Sequence, residues 1–173
     1  MIQTARLRLR RPTPADAPAI FDRYASDAEV TRYMSWPRHR TLSDTLAFLA
    51  FCEEEWSRTQ FGTYLIESRE TSCLLGSTGI SIQPAGRGIT GYILARDAWG
   101  RGFATEALTA MVELAREIKL VSLHASCHAQ HRASAHVLEK CGFTPDHNAA
   151  TLAHFPNDAA APQPILAFKR QIE

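Results

Sequence analysis

The hydrophobic and polar positions of this chain repeat with two different periods. Apolar and basic side chains alternate over residues 6–11 (RLRLRR), which predicts a strand with one exposed face. From residue 13 the spacing becomes helical, since Thr13 can cap a helix that has Pro14 at its first position and ends near Ser26. A second helix is predicted from Ser43, with an apolar face formed by Leu42, Leu46, Leu49, Cys52 and Trp56.

Beyond Gly62 the pattern becomes that of strands separated by polar turns. Strands are predicted over residues 63–68, 74–83, 89–95 and 120–128. The last of these has few charges, which indicates a central position in the sheet. Helices are predicted after Gly102 and over residues 132–142, where Gly142 closes the second one. The remaining residues predict a final hairpin that contains a loop over 156–164, and the whole order predicts a mixed α/β domain.

Composition and charge restrict the class of protein. The 173 residues are 45% hydrophobic, which favours one domain over residues 1–173. The net charge of +1 provides no electrostatic case for nucleic acid or a membrane surface as a partner. No run reaches the ~20 apolar residues of a membrane span, and the first residues lack a signal-peptide core, so we expect a cytoplasmic location. The cysteines have no CxxC spacing, and no metal site is expected.

Gly100 and Gly102 stand where a strand is about to be followed by a helix. Unpaired N–H groups and a partial positive charge at a helix start attract anions, and glycines let an anion approach the backbone. The dinucleotide pattern G-x-G-x-x-G is incomplete because Thr105 occupies the third position, and no GK[ST] sequence follows to make a P-loop. Taken alone, the pair is equally consistent with a phosphate cradle and with a plain turn.

Three separated blocks decide between these alternatives. GYILARDAWGRGFATEAL (91–108), HRASAHVLEKCGF (131–143) and the opening TARLRLRRPTPADAPAIFDRYASDAEVTRYMSWP together resemble the GNAT superfamily of N-acetyltransferases. They are similar to the branch that acetylates protein N-termini, including those of ribosomal proteins. The resemblance implies an α/β fold with a central mixed, mostly antiparallel sheet and about four helices. Its fourth and fifth strands, 89–95 and 120–128, are expected to splay apart.

The same resemblance implies acetyl-CoA as the co-substrate. The residues that it places around the cofactor are Ile93, Leu94, Arg96, Trp99, Gly100, Arg101, Gly102, Phe103, Ala104, Thr105, His131 and Ser134. Two positions depart from the family motifs: Asp97 replaces a Gln or Arg, and His131 replaces an asparagine. A carboxylate facing the diphosphate would repel it, so we expect Asp97 to face away.

The catalytic groups are less well defined by the resemblance. Many GNAT members carry an acidic tyrosine where this chain has Leu138, which leaves Ser134 as the proton donor, as a hydrogen-bond partner of the cofactor sulfur or as a surface residue. Glu67, His124 and His128 are candidates for the general base, each with a purely structural alternative. Cys127 would permit an acyl-enzyme route, but direct attack of the amine on the thioester needs no such intermediate.

The expected acceptor is an amine-bearing molecule. An α-amino group, with a pKa of about 7.7–8.0 against about 10.4 for lysine, is easier to deprotonate at a site that lacks a clear base. This favours a peptide N-terminus, bound by the loop that carries Trp36, Arg38, His39 and Arg40. The three basic side chains of that loop are expected either to meet an acidic or carboxylated acceptor or to be solvated. A small-molecule amine (amino sugar, polyamine, amino acid or antibiotic) and a non-catalytic acyl-CoA-binding module stay open as alternatives, as does a homodimer.

Overall fold

One open sheet forms the centre of the molecule in the computed structural model, which describes residues 1–173. Its strands are β1 (Ile2–Gln3), β2 (Leu7–Arg10), β3 (Thr63–Ser68), β4 (Leu74–Gln83), β5 (Arg87–Leu94), β6 (Ser122–His128), β7 (Thr144–Pro145), β8 (Leu152–Ala153) and β9 (Gln163–Gln171). The order of the strands in the sheet is β1-β2-β3-β4-β5-β6-β9-β7, and β8 pairs with β9. The α-helices are α1 (Ala17–Ile20), α2 (Leu42–Thr59), α3 (Phe103–Glu117) and α4 (Arg132–Lys140). The predicted mixed α/β class is confirmed.

The β5–β6 pair is the only parallel pair in the sheet, and it is short. The two strands pair at three positions, and the last of these pairs Ile89 with His124. Residues 90–94 then have no partner on β6, whereas residues 125–128 continue to pair with β9. The two strands therefore diverge, which confirms the predicted splay. We call the opening between residues 90–94 and 125–128 the wedge.

The first predicted helix is divided into three short pieces. A 3-10 turn over Pro14–Asp16 follows the Thr13 cap and leads into α1. A π-helical turn, Phe21–Ala25, ends it, where both the backbone N–H and the hydroxyl of Ser26 donate to the Phe21 carbonyl. A π turn rotates the side chains that follow it, and the buried Tyr24 packs in the cluster between the sheet and α2.

The buried face of α2 differs from the predicted one. The helix begins at Leu42, because Thr41 and Asp44 form a capping box. Leu42 and Leu46 are exposed (43% and 45%), and the buried residues are Thr45, Leu49, Cys52 and Glu55. The helical spacing was correct, but the stripe that faces the sheet is rotated and includes a glutamate.

Apolar clusters cover both faces of the sheet. The larger cluster packs α3 and α4 on one face, and the smaller one packs α1 and α2 on the other. The first strand of the predicted C-terminal hairpin is replaced by two short strands, β7 and β8. Strand β7 ends at Pro145, which has no N–H to continue the ladder. The long β9 instead pairs with β6, which makes β6 central as predicted. None of the helices has the length and apolar character needed to cross a bilayer.

Candidate active site

The start of α3 forms an open cradle. Gly100 and Gly102 have φ of +70° and +78°, a backbone conformation that favours glycine, and Gly102 caps the helix. A Cβ added at Gly100 would meet no atom within 4 Å. Phe103 and Ala104 bury their side chains in the core, so the N–H groups of the first turn are the polar groups presented here. The Arg101 guanidinium lies 4.9 Å from the centre of the Phe103 ring, beside the same opening.

The turn before the cradle carries the residue that departs from the family motif. The Asp97 carboxylate accepts hydrogen bonds from both terminal nitrogens of Arg23, at 2.8–3.0 Å. Its charge is therefore balanced by an arginine of the π-helical turn after α1. Arg96 forms ion pairs with Asp27 (2.8 Å) and Glu29 (2.7 Å), so its guanidinium is directed at the loop after α1.

Trp99 acts on the end of β5. Its indole N–H donates to the Leu94 carbonyl at 2.8 Å. This contact satisfies a carbonyl at the point where β5 leaves the sheet, and it keeps the turn of residues 95–99 against the strand. The other backbone N–H and C=O groups of residues 90–94 that face β6 have no partner on that strand. They are therefore available to hydrogen-bond a ligand in the wedge.

A hydroxyl pair lies in the wedge. The Tyr92 hydroxyl donates to the Ser134 hydroxyl at 3.3 Å, which joins β5 to the first turn of α4. Burial raises the pKa of Tyr92 to about 12, against the opposing effect of the hydrogen bond to Ser134. Leu138, at the position of the family's acidic tyrosine, is fully in the core (2% exposed). The side chain of Tyr92 was not among the site residues predicted from the sequence, because it stands in no recognisable motif.

Glu67 does not lie at the wedge. Its two carboxylate oxygens accept hydrogen bonds from Arg8 and Arg10, each at 2.8 Å. It belongs to β3, and β4 separates that strand from β5. The structure therefore places this candidate base in an ion-pair cluster of the sheet.

The two candidate histidines of β6 are also engaged elsewhere. His124 precedes the splay, where its ring contacts Ser122 (3.0 Å) and Asp146 (3.6 Å). His128 is 2% exposed and stacks on Tyr33, with ring centres 4.5 Å apart. Its Nδ1 accepts the N–H of Gln130, at 3.1 Å. Neither ring reaches the cavity described below.

Cys127 and His131 border the wedge as expected from their positions. Burial raises the pKa of the Cys127 thiol, which keeps it protonated and weakly nucleophilic. Burial also lowers the pKa of His131, and the neighbouring His128 adds to this effect. A neutral imidazole at the start of α4 can still donate one hydrogen bond, as the expected role at the cofactor requires.

A cavity of about 290 Å³ opens on the face of the sheet that carries α1 and α2. Its roof is formed by the loop after α1 and by α2, and its floor by β4 and β5 as far as Ile93. Trp36 and His39, predicted to bind the acceptor, line it. Arg38 lines the adjoining outer cavity, and Asn157 fixes its backbone N–H at 2.8 Å.

Among the polar side chains that line this cavity, Tyr24 and Glu55 form no hydrogen bond or ion pair of normal geometry. The Tyr24 hydroxyl is buried and forms no hydrogen bond of normal geometry, although Ser77 is close to it. Glu55 is 8% exposed and forms no ion pair. His39 contacts Thr45 at 2.9 Å, and burial lowers its pKa. Tyr24 and Glu55 were not found from the sequence, because neither stands in a recognisable motif.

Comparison with known proteins agrees with this geometry. Residues 6–144 match the model of the acetyltransferase (GNAT) domain. The N-acetyltransferase p20 of Bacillus licheniformis is 32% identical over 114 residues, which are 65% of this chain and 64% of p20, so the match spans just under two thirds of that relative.

Two solved structures share the fold. RimL, a ribosomal-protein α-N-acetyltransferase in complex with coenzyme A, has a TM-score of 0.85 at 20% identity and covers 98% of this chain and 96% of its own. A spermidine N-acetyltransferase from Vibrio cholerae, in complex with CoA and spermine, has a TM-score of 0.81 at 15% identity, over 98% and 97%. The family match covers most of the chain, including the cradle, the wedge and α4, and the chain therefore belongs to the GNAT family of acetyltransferases.

Proposed function

We propose that this protein transfers an acetyl group from acetyl-CoA to the α-amino group of a peptide by direct attack. One observation carries the proposal: Tyr92 and Ile93 border both halves of the site. Both residues line the cavity under α2, and the Tyr92 hydroxyl bonds to Ser134 in the wedge. A thioester in the wedge and an amine in the cavity would therefore meet at the same two residues of β5.

The cofactor has a complete path to that point. The N–H groups of the first turn of α3, behind Gly100 and Gly102, suit the diphosphate. The pantetheine arm would pair with the free edge of residues 90–94 as an added strand. N–H groups of the same edge would polarise the thioester carbonyl, as an oxyanion hole does. His131 and Ser134 close the wedge from the side of α4.

The chemistry needs little beyond these groups. The amine lone pair attacks the thioester carbon, the carbon–sulfur bond breaks, and the thiolate takes a proton from the hydroxyl pair of Ser134 and Tyr92. The nitrogen of the new amide loses its extra proton to water, and water returns a proton to the hydroxyl pair, which restores both hydroxyls. Since the carboxylate of Glu67 is held by two arginines and His128 is packed between rings, no strong base lies beside the attacking amine.

The lack of a strong base favours an α-amine. Deprotonation at pH 7 costs roughly 1.2 kcal/mol for an α-amino group and roughly 4.6 kcal/mol for a lysine side chain. The size of the cavity, about 290 Å³, also suits a small-molecule amine, which is the second candidate. Trp36 and His39 would contact either acceptor inside the cavity, and Arg38 would meet it outside.

Thiol release from acetyl-CoA in the presence of a panel of N-terminal peptides and small amines tests the proposal. We expect turnover with free α-amines and none with the same peptides after N-terminal acetylation. Turnover confined to small amines would instead support the second candidate, a small-molecule amine as the acceptor. Tight binding of CoA without turnover on any amine would instead identify a non-catalytic acyl-CoA-binding module.

A further inference from the structure

We propose that Glu55 makes this protein select acceptors with a second positive charge, distant from the amine that is acetylated. The inference rests on the proposed function, because it takes the thioester to lie in the wedge. It names the specificity-determining residue of the acceptor cavity and the class of acceptor, a dicationic amine.

The first observation is that Glu55 is 8% exposed, lines the cavity from α2 and has no ion pair. Several other acidic side chains of this part of the molecule are paired: Glu67 with Arg8 and Arg10, Asp16 with Arg10, Glu53 with Arg11, and Asp27 with Arg96. A molecule that fills the cavity would remove the Glu55 carboxylate from water, which is unfavourable without a partner. A bound cation would compensate that charge.

The second observation is the charge of the cavity. Its other lining residues are apolar, hydroxyl-bearing or glycine, apart from His39, whose pKa burial lowers. Neither lysine nor arginine lines it, and Glu55 is the only acidic side chain among its lining residues. Arg38, Arg40 and Asp44 line the outer cavity, so that region offers a cation no net negative charge. The inner cavity is accordingly complementary to a positive group and not to a carboxylate.

The third observation is the position of Glu55 along the floor. Its Oε2 atom would lie 2.9 Å from a Cβ added at Gly62. The Gly62 carbonyl accepts the N–H of Ile80, and Ile80 is opposite Thr90 on β5. Ile93 follows three residues later, so Glu55 lies roughly 10–14 Å from the wedge end of the cavity by strand spacings. Glu55 is therefore too far from the thioester to act on the reacting amine.

The wedge end has its own group for that amine. Ser77 is opposite Ile93, and the unpaired Tyr24 hydroxyl lies beside Ser77. The phenolic oxygen can accept a hydrogen bond from the reacting amine. The cavity thus has an acceptor atom at one end and a carboxylate at the other, which matches a molecule with two nitrogens about 10 Å apart.

Two kinds of molecule share this chemistry, a free linear polyamine and a peptide with a basic side chain near its N-terminus. The test compares an α,ω-diamine of about eight methylenes with the amino alcohol of the same length. A second arm compares N-terminal peptides that have lysine or norleucine at their second residue. We expect kcat/KM to be about tenfold or more higher for the dicationic member of at least one pair.

Glu55→Gln keeps the shape of the side chain and removes its charge. It should reduce that preference to within about twofold, whereas Glu54→Gln, on the exposed side of the same helix, should preserve it. A preference that survives in Glu55→Gln, or equal kcat/KM within both pairs for the wild type, would overturn the inference. The pair that shows the preference identifies the source of the acceptor.

Binding separates this inference from the proposed function. The quenching of Trp36, which lines the cavity, is titrated with the diamine and the amino alcohol in the presence of CoA. Tighter binding of the diamine, lost in Glu55→Gln, supports the inference even if no acetyl group is transferred. Equal affinities for the two compounds refute it, even where acetyl transfer itself is observed.

Discussion

The phenolic oxygen of Tyr92 lies 3.3 Å from the hydroxyl oxygen of Ser134. This contact joins β5 to α4 at the wedge. The two residues are 42 positions apart in the chain, and the splay of β5 from β6 leaves the space in which they meet. Because Leu138 fills the core where many relatives have a tyrosine, this pair is the proton donor that we propose for the leaving thiolate.

Removing the hydroxyl group of Ser134 should slow the chemical step more than it weakens the binding of acetyl-CoA. For Ser134→Ala we expect kcat to fall about 10–100-fold while the Kd of acetyl-CoA changes by less than about threefold. Steady-state thiol release and calorimetry measure the two quantities, with Ser57→Ala on the exposed side of α2 as the control. If Tyr92 shares the proton, Tyr92→Phe combined with Ser134→Ala should be no slower than the slower single variant. Equal losses of kcat and affinity would indicate cofactor positioning instead.

A side chain at Gly102 should block the diphosphate. Gly102→Val places a branched Cβ in the cradle at a φ of +78°, so we expect acetyl-CoA affinity to fall about tenfold or more. Backbone strain also costs about 1–2 kcal/mol of stability. Gly86→Val has a matching φ of +70° at the distant β4–β5 turn, and should lose stability without losing affinity. Unchanged affinity in Gly102→Val would remove the cradle assignment.

Arg23 should protect the cofactor site from the charge of Asp97. In Arg23→Met the carboxylate loses its bidentate partner, and we expect acetyl-CoA affinity to decrease about threefold at low salt. The double variant Arg23→Met/Asp97→Asn should recover the wild-type value, because the repelling charge is gone. Calorimetry at low and high salt measures this. If the double variant is as weak as the single one, the loss comes from packing.

Asp16 should contribute to stability only above acidic pH. The hydrogen bond from Arg10 lowers the pKa of Asp16 below its ordinary value of 3.8 in the folded protein. A carboxyl group that binds its proton more weakly when folded stabilises the fold above pH 3.8, and this contribution is lost as the pH falls through the folded pKa. Denaturant unfolding of Asp16→Asn should show reduced stability at pH 7 and convergence with the wild type in acid. Exposed Asp22→Asn should follow the wild type throughout.

Glu67 should be required for stability and not for catalysis. Glu67→Gln leaves Arg8 without its carboxylate partner and Arg10 with Asp16 alone, so we expect a loss of about 1–3 kcal/mol in the free energy of unfolding. At a temperature where the variant is folded, kcat should remain within about twofold of wild type. Unfolding curves and thiol release test both statements. A fall of kcat comparable to that of Ser134→Ala would restore Glu67 as a general base.

Local pattern was sufficient for most elements of the sheet. The alternation over 63–68 and 74–83 corresponds to β3 and β4, and the glycines before residue 103 mark the start of α3 as predicted. These features depend on neighbouring residues, whose period and turn chemistry decide the backbone. The three motif blocks indicated the family, and the resemblance to that family predicted that β5 and β6 splay apart.

The acceptor cavity could not be predicted in the same way. Helical spacing in α2 defines a stripe, but which stripe faces the sheet depends on packing, so Leu42 and Leu46 were predicted to be buried and Glu55 was overlooked. Likewise, Glu67 was interpreted as a candidate base because its two arginine partners lie on the neighbouring strand β2, 59 and 57 positions earlier in the chain.

The sequence by itself determined most of the strands, the helix starts, the cradle motif and the membership of the GNAT family, because each is visible in short local patterns or motif blocks. Only the tertiary structure decided which charges are compensated and which are not. Asp97 is paired with Arg23 from 74 positions away, whereas Glu55 is buried in the cavity without a cation. Electrostatic interactions depend on distances through space, and these are established only when the sheet and the helices pack together.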